Sequence, residues 1–384
     1  MVHSILKVCT AVCVLATFGG FFYTLISLWG AVQFLWQRKA WATGDLPAVS
    51  LLKPLKGIDP EMLACLRSHC VQDYPEYEIV FGVSEAGDPA MAAVEQLKTE
   101  FPSLEITLVL CEKRIGANTK VSTLAQMVPL ARHEYFVVND SDIQVSRDYL
   151  HRVLAPLANP TIGLVTCLYR GVPAATLGSW LESLGIVEFA SGVLAARLLE
   201  RGIRFGLGST LVFRRAGLAA IGGFDAFADY LADDYQLGHR LAAGGSVVEL
   251  SHTVVETFLP PYSLSGFVSH QLRWARTVRD SRRWGYAGMV VTHYLPWALL
   301  ALMFSGGSGW AWFLVAAAFV IRATSTLAVG RGVLNDRRTF WYLPLIPLRD
   351  LLAGVVWIGG CFGHIVKWRG ERFSLRHGRL KKIV

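Results

Sequence analysis

Two carboxylates one residue apart, Asp140 and Asp142 in Asn139-Asp140-Ser141-Asp142, follow the apolar run Glu134-Tyr135-Phe136-Val137-Val138. Oxygen donors at that spacing suit a hard divalent cation, Mg2+ or Mn2+, which would bridge the two phosphates of a nucleoside diphosphate and stabilise the charge that develops as it leaves. The plainer use of such a pair is a solvated loop or a helix cap. Asp88 lies in the turn Gly82-Val83-Ser84-Glu85-Ala86-Gly87-Asp88-Pro89, where a helix N-cap is its simplest role. Lys53 and Lys120 sit in comparable loops and either meet a diphosphate or face water.

A second acidic spot, Asp233-Asp234, precedes the helical run Tyr235 to Ala243. Adjacent carboxylates point in different directions, so one can cap the helix while the other faces a substrate. A sugar transfer with inversion needs such a base to take a proton from the attacking hydroxyl, a role worth about 10²- to 10⁴-fold. The rival use is a pair of glycoside-hydrolase carboxylates, but hydrolysis accounts neither for a diphosphate-like site nor for the apolar segments described below. Last in order comes the basic stretch His270-Gln271-Leu272-Arg273-Trp274-Ala275-Arg276-Thr277-Val278-Arg279. Arg273 could bind a leaving diphosphate and Trp274 could wall an acceptor site. The alternative is an amphipathic helix at a membrane interface, and Arg276, Arg279, Arg282 and Arg283 are read that way, with their charges at headgroup depth.

These residues need a scaffold, and short β-rich runs alternating with longer helical ones between Ala48 and Arg283 predict an α/β sheet with helices packed on it. Val49 to Leu52 reads as a strand ending at Lys53-Pro54, Asp59 to Cys70 as a helix, and Glu78 to Val83 as a buried strand. Asp88-Pro89 opens another helix, Leu104 to Leu110 is a third strand, and Glu134 to Val138 a fourth. The fourth strand delivers Asn139 to Asp142 at its carboxyl end, where open α/β sheets place their ligands.

The chain has 384 residues, 53% of them hydrophobic and only 17% charged, with a mean hydropathy of +0.40. That balance requires part of the chain to meet lipid. The formal charge of +8 is concentrated beside apolar spans and in the tail Lys367, Arg369, Arg372, Arg376, Arg379, Lys381 and Lys382, which fits the anionic cytoplasmic face of a membrane. No nucleic-acid-binding motif accompanies it, so no nucleic-acid partner is expected. Seven cysteines, an odd number without Cys-x-x-Cys spacing, read as reduced thiols. Cys65, His69 and Cys70 lack a second ligand pair at zinc-site spacing.

Val8 to Trp36 is long enough to span, and Gln37-Arg38-Lys39 marks its cytoplasmic flank, so an uncleaved anchor is preferred to a signal peptide. Thr43-Gly44-Asp45-Leu46-Pro47 reads as a linker. Tyr286 to Phe304 and Trp310 to Val329 form a spanning hairpin with both outer ends cytoplasmic. Trp341 to Val366 carries Arg349 and Asp350, and the positive-inside rule places its two flanks on one side. An interfacial or re-entrant segment with Arg349 and Asp350 paired to each other resolves that conflict. The expected organisation is an anchor and linker over 1–44, a cytoplasmic catalytic domain over 45–284, transmembrane or interfacial helices over 285–366, and a basic cytoplasmic tail over 367–384.

Several motifs in one order, Leu52-Lys53-Pro54-Leu55-Lys56-Gly57-Ile58-Asp59-Pro60, Gln72-Asp73-Tyr74-Pro75-Glu76-Tyr77-Glu78, Asp88-Pro89-Ala90, Tyr230-Leu231-Ala232-Asp233-Asp234-Tyr235 and Arg273-Trp274, resemble the ceramide glucosyltransferase family. These are membrane-bound inverting glycosyltransferases of the GT-A fold with flanking transmembrane helices. The resemblance implies a UDP-sugar donor with Asp88 on the nucleotide, Asp140 and Asp142 on diphosphate and metal, Asp234 as base, and Arg273 with Trp274 closing the donor and acceptor site. The family's closing motif usually begins with Gln or Arg, where this chain has His270, an imidazole whose charge would vary near neutral pH. Gly222-Gly223-Phe224-Asp225 and the stretch from His270 to Trp284 look especially like the bacterial branch associated with hopanoid biosynthesis. That branch implies N-acetylglucosamine transfer to a hopanoid polyol at a bacterial inner membrane, the other family chemistry being glucose transfer to ceramide. A processive polysaccharide synthase shares these carboxylates but needs a channel of several spans. A non-catalytic membrane scaffold predicts no metal-dependent UDP binding.

Overall fold

A computed structural model describes residues 1–37 and 46–383. Arg38 and Lys39 of the expected basic flank and Thr43 to Asp45 of the expected linker lie outside the described residues. In chain order, helix α1 (Val2–Trp36) precedes β1 (Val49–Leu55), α2 (Met62–Cys70), β2 (Tyr77–Val83), α3 (Ala90–Glu100), β3 (Glu105–Leu110) and α4 (Thr119–Met127). There follow β4 (Tyr135–Val138), β5 (Ile143–Gln144), α5 (Tyr149–Leu154), β6 (Ile162–Val172), α6 (Leu177–Leu199), β7 (Leu211–Arg214), α7 (Arg215–Ala220), α8 (Asp233–Ala243) and β8 (Val247–Phe258). The chain continues through α9 (Leu264–Ser281), α10 (Arg283–Gly288), α11 (Tyr294–Phe304), α12 (Gly309–Leu327), α13 (Thr339–Tyr342) and α14 (Ile346–Gly360) to β9 (Ile365–Trp368), β10 (Glu371–Arg376) and β11 (Arg379–Lys382).

The chain forms two compact units. One comprises 46–172, 202–260 and 367–383, the other Met1–Gln37, Pro173–Arg201 and Pro261–Val366. The expected 45–284 domain therefore loses α6 and α9 to the helical unit. The reason is apolar helix packing: Ser27 Oγ of α1 donates to the Ser191 carbonyl of α6 at 2.8 Å, and a Cβ on Gly30 would lie 2.5 Å from the Leu194 carbonyl oxygen. Small residues let the two backbones touch there.

In the α/β unit the main sheet runs β3-β2-β1-β4-β7-β6-β8-β5. β1 pairs in parallel with β2 on one side and with β4 on the other, Val49–Leu52 lying opposite Tyr135–Val138. Strand order therefore reverses between β1 and β4, the crevice where open sheets bind ligands at their carboxyl ends. Leu51, Phe81 and Val137 from the strands are buried with Leu66, Val94, Leu97 and Val153 from α2, α3 and α5. Each such side chain contributes about 1.5–3 kcal/mol by leaving water, which makes the strand ends a rigid platform. The first helix is shorter than expected, starting at Met62, because Pro60 and the left-handed Glu61 (φ 50°) turn the chain before it. The basic tail is not a free polycation: β9, β10 and β11 form a three-stranded sheet, with 367–383 in the α/β unit.

In the helical unit three helices are long and apolar enough to cross a membrane: Val2–Trp36, Gly309–Val333 and Thr339–Gly360. The expected span Tyr286 to Phe304 is bent by 53° between Arg283–Thr292 and Tyr294–Phe304. Pro296 has no N–H for the Thr292 carbonyl and its ring crowds that position, which breaks the helix. The expected Arg349–Asp350 pair is also corrected. Asp350 receives both contacts of the Arg322 Nε at 3.1 Å, while Arg349 faces Glu188 at 3.7 Å and donates to Gln271 at 3.1 Å. Neighbours in sequence on a helix diverge by about 100°, so each finds a partner on another helix. Arg276 and Arg279 of α9 also bind backbone carbonyls. Arg276 donates to the Ile365 carbonyl at 2.6 Å, and Arg279 to the carbonyls of Gly360 at 2.7 Å and Gly363 at 3.0 Å, covering the exposed C-terminus of α14.

Candidate active site

Lys53 and Lys120, expected in loops, both stand on regular elements. Lys53 is in β1 and fully buried, its Nζ 2.9 Å from His69 Nε2 and 3.4 Å from the Asp140 carbonyl. Burial presses this ammonium down to about 7, against the opposing pull of Asp140 and Asp142, and holds His69 well below the usual imidazole range. The contact spends His69 on Lys53, and among the described residues no cluster of three or more His, Cys, Asp or Glu is placed as a metal cage. Lys53 thus supports the turn after β4 from beneath.

Lys120 lies in the first turn of α4, whose N-cap Asn118 accepts from Val121 N. Its ammonium bridges Asp140 Oδ1 at 2.8 Å and Asp233 Oδ2 at 3.1 Å. Against burial, which lowers it, those two carboxylates hold its pKa above the usual lysine range. The Asp140 side chain remains 43% exposed beside it, so the carboxylate is accessible from solvent. Asn139, in contrast, is fully buried and donates to Tyr149 Oη at 2.8 Å and the Ser209 carbonyl at 2.7 Å, pinning the end of β4.

Asp142 accepts from Thr257 Oγ1 at 2.7 Å, and its carbonyl receives Phe258 N at 3.1 Å. Burial first, then the charge of Asp140, push Asp142 up to about 6. A buried carboxylate raised by the charge of its neighbour is relieved by a cation beside it, and Mg2+ or Mn2+ commonly binds through one or two carboxylates completed by substrate phosphates. The donor set fits such an ion. Between them Ser141 Oγ donates to Asp59, a residue that sequence reasoning placed inside a helix.

The Asp233 and Asp234 carboxylates take different partners, and neither gives the expected cap, α8 having Ala232 at its N-cap and no side-chain cap. Asp233 faces Lys120, while Asp234 accepts from Tyr235 N at 2.7 Å and from Gly208 N at 2.9 Å. A Cβ on Gly208 would lie 3.4 Å from Asp140 Oδ2 and 3.4 Å from Asp234 Oδ2, so both carboxylates converge over one residue without a side chain. Burial, followed by the charge of Asp233, pushes Asp234 up to about 6. Gly208 was not foreseen, since one glycine among 36 has no distinguishing local pattern. Asp88 is not the N-cap of α3, a position held by Pro89, but it accepts from Ala90 N at 2.9 Å and also receives Gly57 N at 3.0 and 3.1 Å on its two oxygens. It thereby joins the turn after β1 to the start of α3.

His270, Arg273 and Trp274 stand on α9 of the helical unit. His270 Nδ1 accepts from Arg273 Nη2 at 3.2 Å and from Tyr262 Oη at 3.3 Å, while its Nε2 lies 3.6 Å from Glu182. Burial, then the Arg273 charge, press the imidazole down to about 3, so it is neutral near pH 7 and the expected charge variation is absent. Glu182 also accepts from Gln271 at 2.8 Å, and Trp274 meets Phe189 edge to face at 5.8 Å. Glu182, which contacts both His270 and Gln271, escaped motif reading because it lies 88 positions before His270 and outside every quoted motif.

The sequence profile of glycosyl transferase family 21 matches residues 12–381. Ceramide glucosyltransferase 3 of Caenorhabditis elegans is 26% identical over 246 residues, covering 62% of this chain and 52% of its own length. Beta-monoglucosyldiacylglycerol synthase of Synechocystis sp. is 24% identical over 205 residues, 52% of this chain and 41% of its own length. The chain thus spans about half the length of the curated relatives it matches. Among solved structures, a mannosyltransferase from Pyrobaculum calidifontis in complex with GDP-Man and Mn2+ aligns with a TM-score of 0.53 at 21% identity, over 91% of this chain and 99% of its own. That likeness shows the fold, GT-A.

Proposed function

The chain belongs to glycosyl transferase family 21, the ceramide glucosyltransferase family anticipated from its motifs, and we propose that it transfers a sugar from a UDP-sugar to a hydroxyl of a membrane lipid with inversion. The observation that carries this reading is the convergence of Asp140 and Asp234 over Gly208, beside the crevice where strand order reverses. A donor-side carboxylate and a carboxylate with the basicity of a proton acceptor share one space there. Names of relatives that make glucosylated lipids support a lipid acceptor, and the Mn2+ held by the P. calidifontis mannosyltransferase supports divalent-cation use.

Asp88 holds the Gly57 turn against which the nucleotide would lie. Asp140 and Asp142 would hold Mg2+ or Mn2+, which when bound neutralises the diphosphate and lowers the barrier to its departure. Lys120, fixed between Asp140 and Asp233, keeps a positive charge beside the same oxygens. The Asp234 carboxylate, oriented by the Gly208 and Tyr235 amides, takes the proton of the lipid hydroxyl as that oxygen attacks the anomeric carbon and the bond to UDP breaks. The catalytic unit would face the cytoplasm of a bacterial inner membrane, with glucose or N-acetylglucosamine as the sugar and ceramide or a hopanoid polyol as the lipid.

Purified protein given labelled UDP-glucose or UDP-N-acetylglucosamine, with ceramide or a hopanoid polyol and with or without Mn2+, tests this reading. Cation-dependent product on either lipid is expected. Growth of a sugar polymer instead would favour a processive synthase, and failure to bind UDP with Mn2+ would leave a non-catalytic scaffold.

A further inference from the structure

The basic tail folds back on the candidate donor site, and its two tight turns carry residues that turn chemistry alone does not favour. Between β9 and β10 the two-residue turn is Arg369-Gly370 with φ of 49° and 83°, and between β10 and β11 it is His377-Gly378 with φ of 51° and 76°. Such turns prefer Asn or Asp at their first position, so Arg369 occupies a left-handed conformation at some cost. Its guanidinium accounts for that choice. Nη1 donates to the Lys56 carbonyl at 3.0 Å and lies 3.4 Å from Asp59 Oδ1, while Nη2 lies 3.5 Å from Asp59 Oδ2.

Both recipients lead into the site. Gly57, next to Lys56, donates its amide to Asp88, and Asp59 receives Ser141, the residue between Asp140 and Asp142. The second turn reaches the other side. Leu231 N donates to the Gly378 carbonyl at 3.1 Å, Leu380 N to the Asp229 carbonyl at 2.6 Å, and the Arg379 guanidinium stands 5.2 Å over the Tyr230 ring. Tyr230 and Leu231 immediately precede Ala232, Asp233 and Asp234. One small sheet therefore ties the loop behind Asp88 and Asp142 to the loop that delivers the candidate base.

We propose that the C-terminal hairpin is a clamp on the donor-binding site, in which Arg369 is a positioning residue that sets the Asp88 and Asp140–Asp142 carboxylates through Lys56 and Asp59. This inference rests on the donor-site reading above. The Arg369–Asp59 pair is partly solvated, so its loss weakens donor binding modestly, roughly two- to five-fold.

The test measures UDP binding with Mn2+ by calorimetry and steady-state KM and kcat for the UDP-sugar, using the full chain in detergent. Arg369→Ala and Asp59→Asn are each expected to raise Kd and KM by that factor with kcat nearly unchanged. The double variant should be no worse than either single one, Arg369→Lys should recover part of the loss, and the exposed Arg376→Ala should bind like the parent. If Arg369→Ala does not fold, Asp59→Asn carries the same comparison. Unchanged donor binding in Arg369→Ala and Asp59→Asn overturns the clamp while leaving the donor site standing. A parent protein that does not bind UDP with Mn2+ overturns both.

Discussion

Asp234 combines the two properties a base needs, an orientation fixed by two backbone amides and a basicity raised to about 6 by burial and Asp233. Asn at this position still accepts from Gly208 N but cannot take a proton, so Asp234→Asn is expected to lose transfer by about 10²- to 10⁴-fold while binding UDP with Mn2+ as before. Loss of UDP binding in the same variant, or retained turnover, would remove Asp234 from the role. Since a base acts only when deprotonated, kcat/KM for the parent should climb with pH up to about 6 and level off above it. A flat profile from pH 5 to 8 would contradict the assignment. His270 adds no second limb in that range, because burial and Arg273 keep it neutral. These carboxylates were legible in sequence because several acidic motifs stand in one order along the chain, after a strand and before a helix. Gly208, Asp59 and Glu182 were not, because what they do depends on residues far away in the chain.

At the scale of elements, the strands β1, β2, β3 and β4 were readable from their Val-, Ile- and Leu-rich runs, and each arrives close to its expected bounds. Helix α6 is a different case: its apolar residues make it look like core, yet it belongs with α1 in the helical unit. The contact at Gly30 decides this, and Gly30→Leu would drive a side chain into the Leu194 backbone. Overpacking of this kind costs about 1–3 kcal/mol, which should appear as a lower melting temperature in detergent. An unchanged melting temperature would mean that α1 does not rest on α6 there. For the arginines of α9, spacing suggested a polar face, and only the structure shows that Arg276 and Arg279 satisfy carbonyls at and beyond the end of α14.

At the scale of the whole molecule, the helical unit links buried Arg322, Arg349 and Asp350 with half-buried Glu188 in a set of equal positive and negative charge. Removing one member leaves an uncompensated charge, so Asp350→Leu should destabilise the protein by about 3–5 kcal/mol. Replacing Arg322 and Asp350 together by leucine should be milder than the single change, and thermal unfolding of both variants reads the difference. A double variant worse than the single one would refute the pairing. By itself the sequence determined the family, the α/β character of the central stretch and the apolar segments within Val2–Trp36 and Gly309–Val333 that are long enough to span, and it singled out the acidic residues of the candidate site, because periodicity, composition and short motifs are local properties. Only the tertiary structure decided that the tail is a folded hairpin, that Asp140 and Asp234 meet over Gly208, and which helix answers each buried charge. Those facts depend on contacts between residues tens to hundreds of positions apart, and such contacts exist only once the chain has closed on itself.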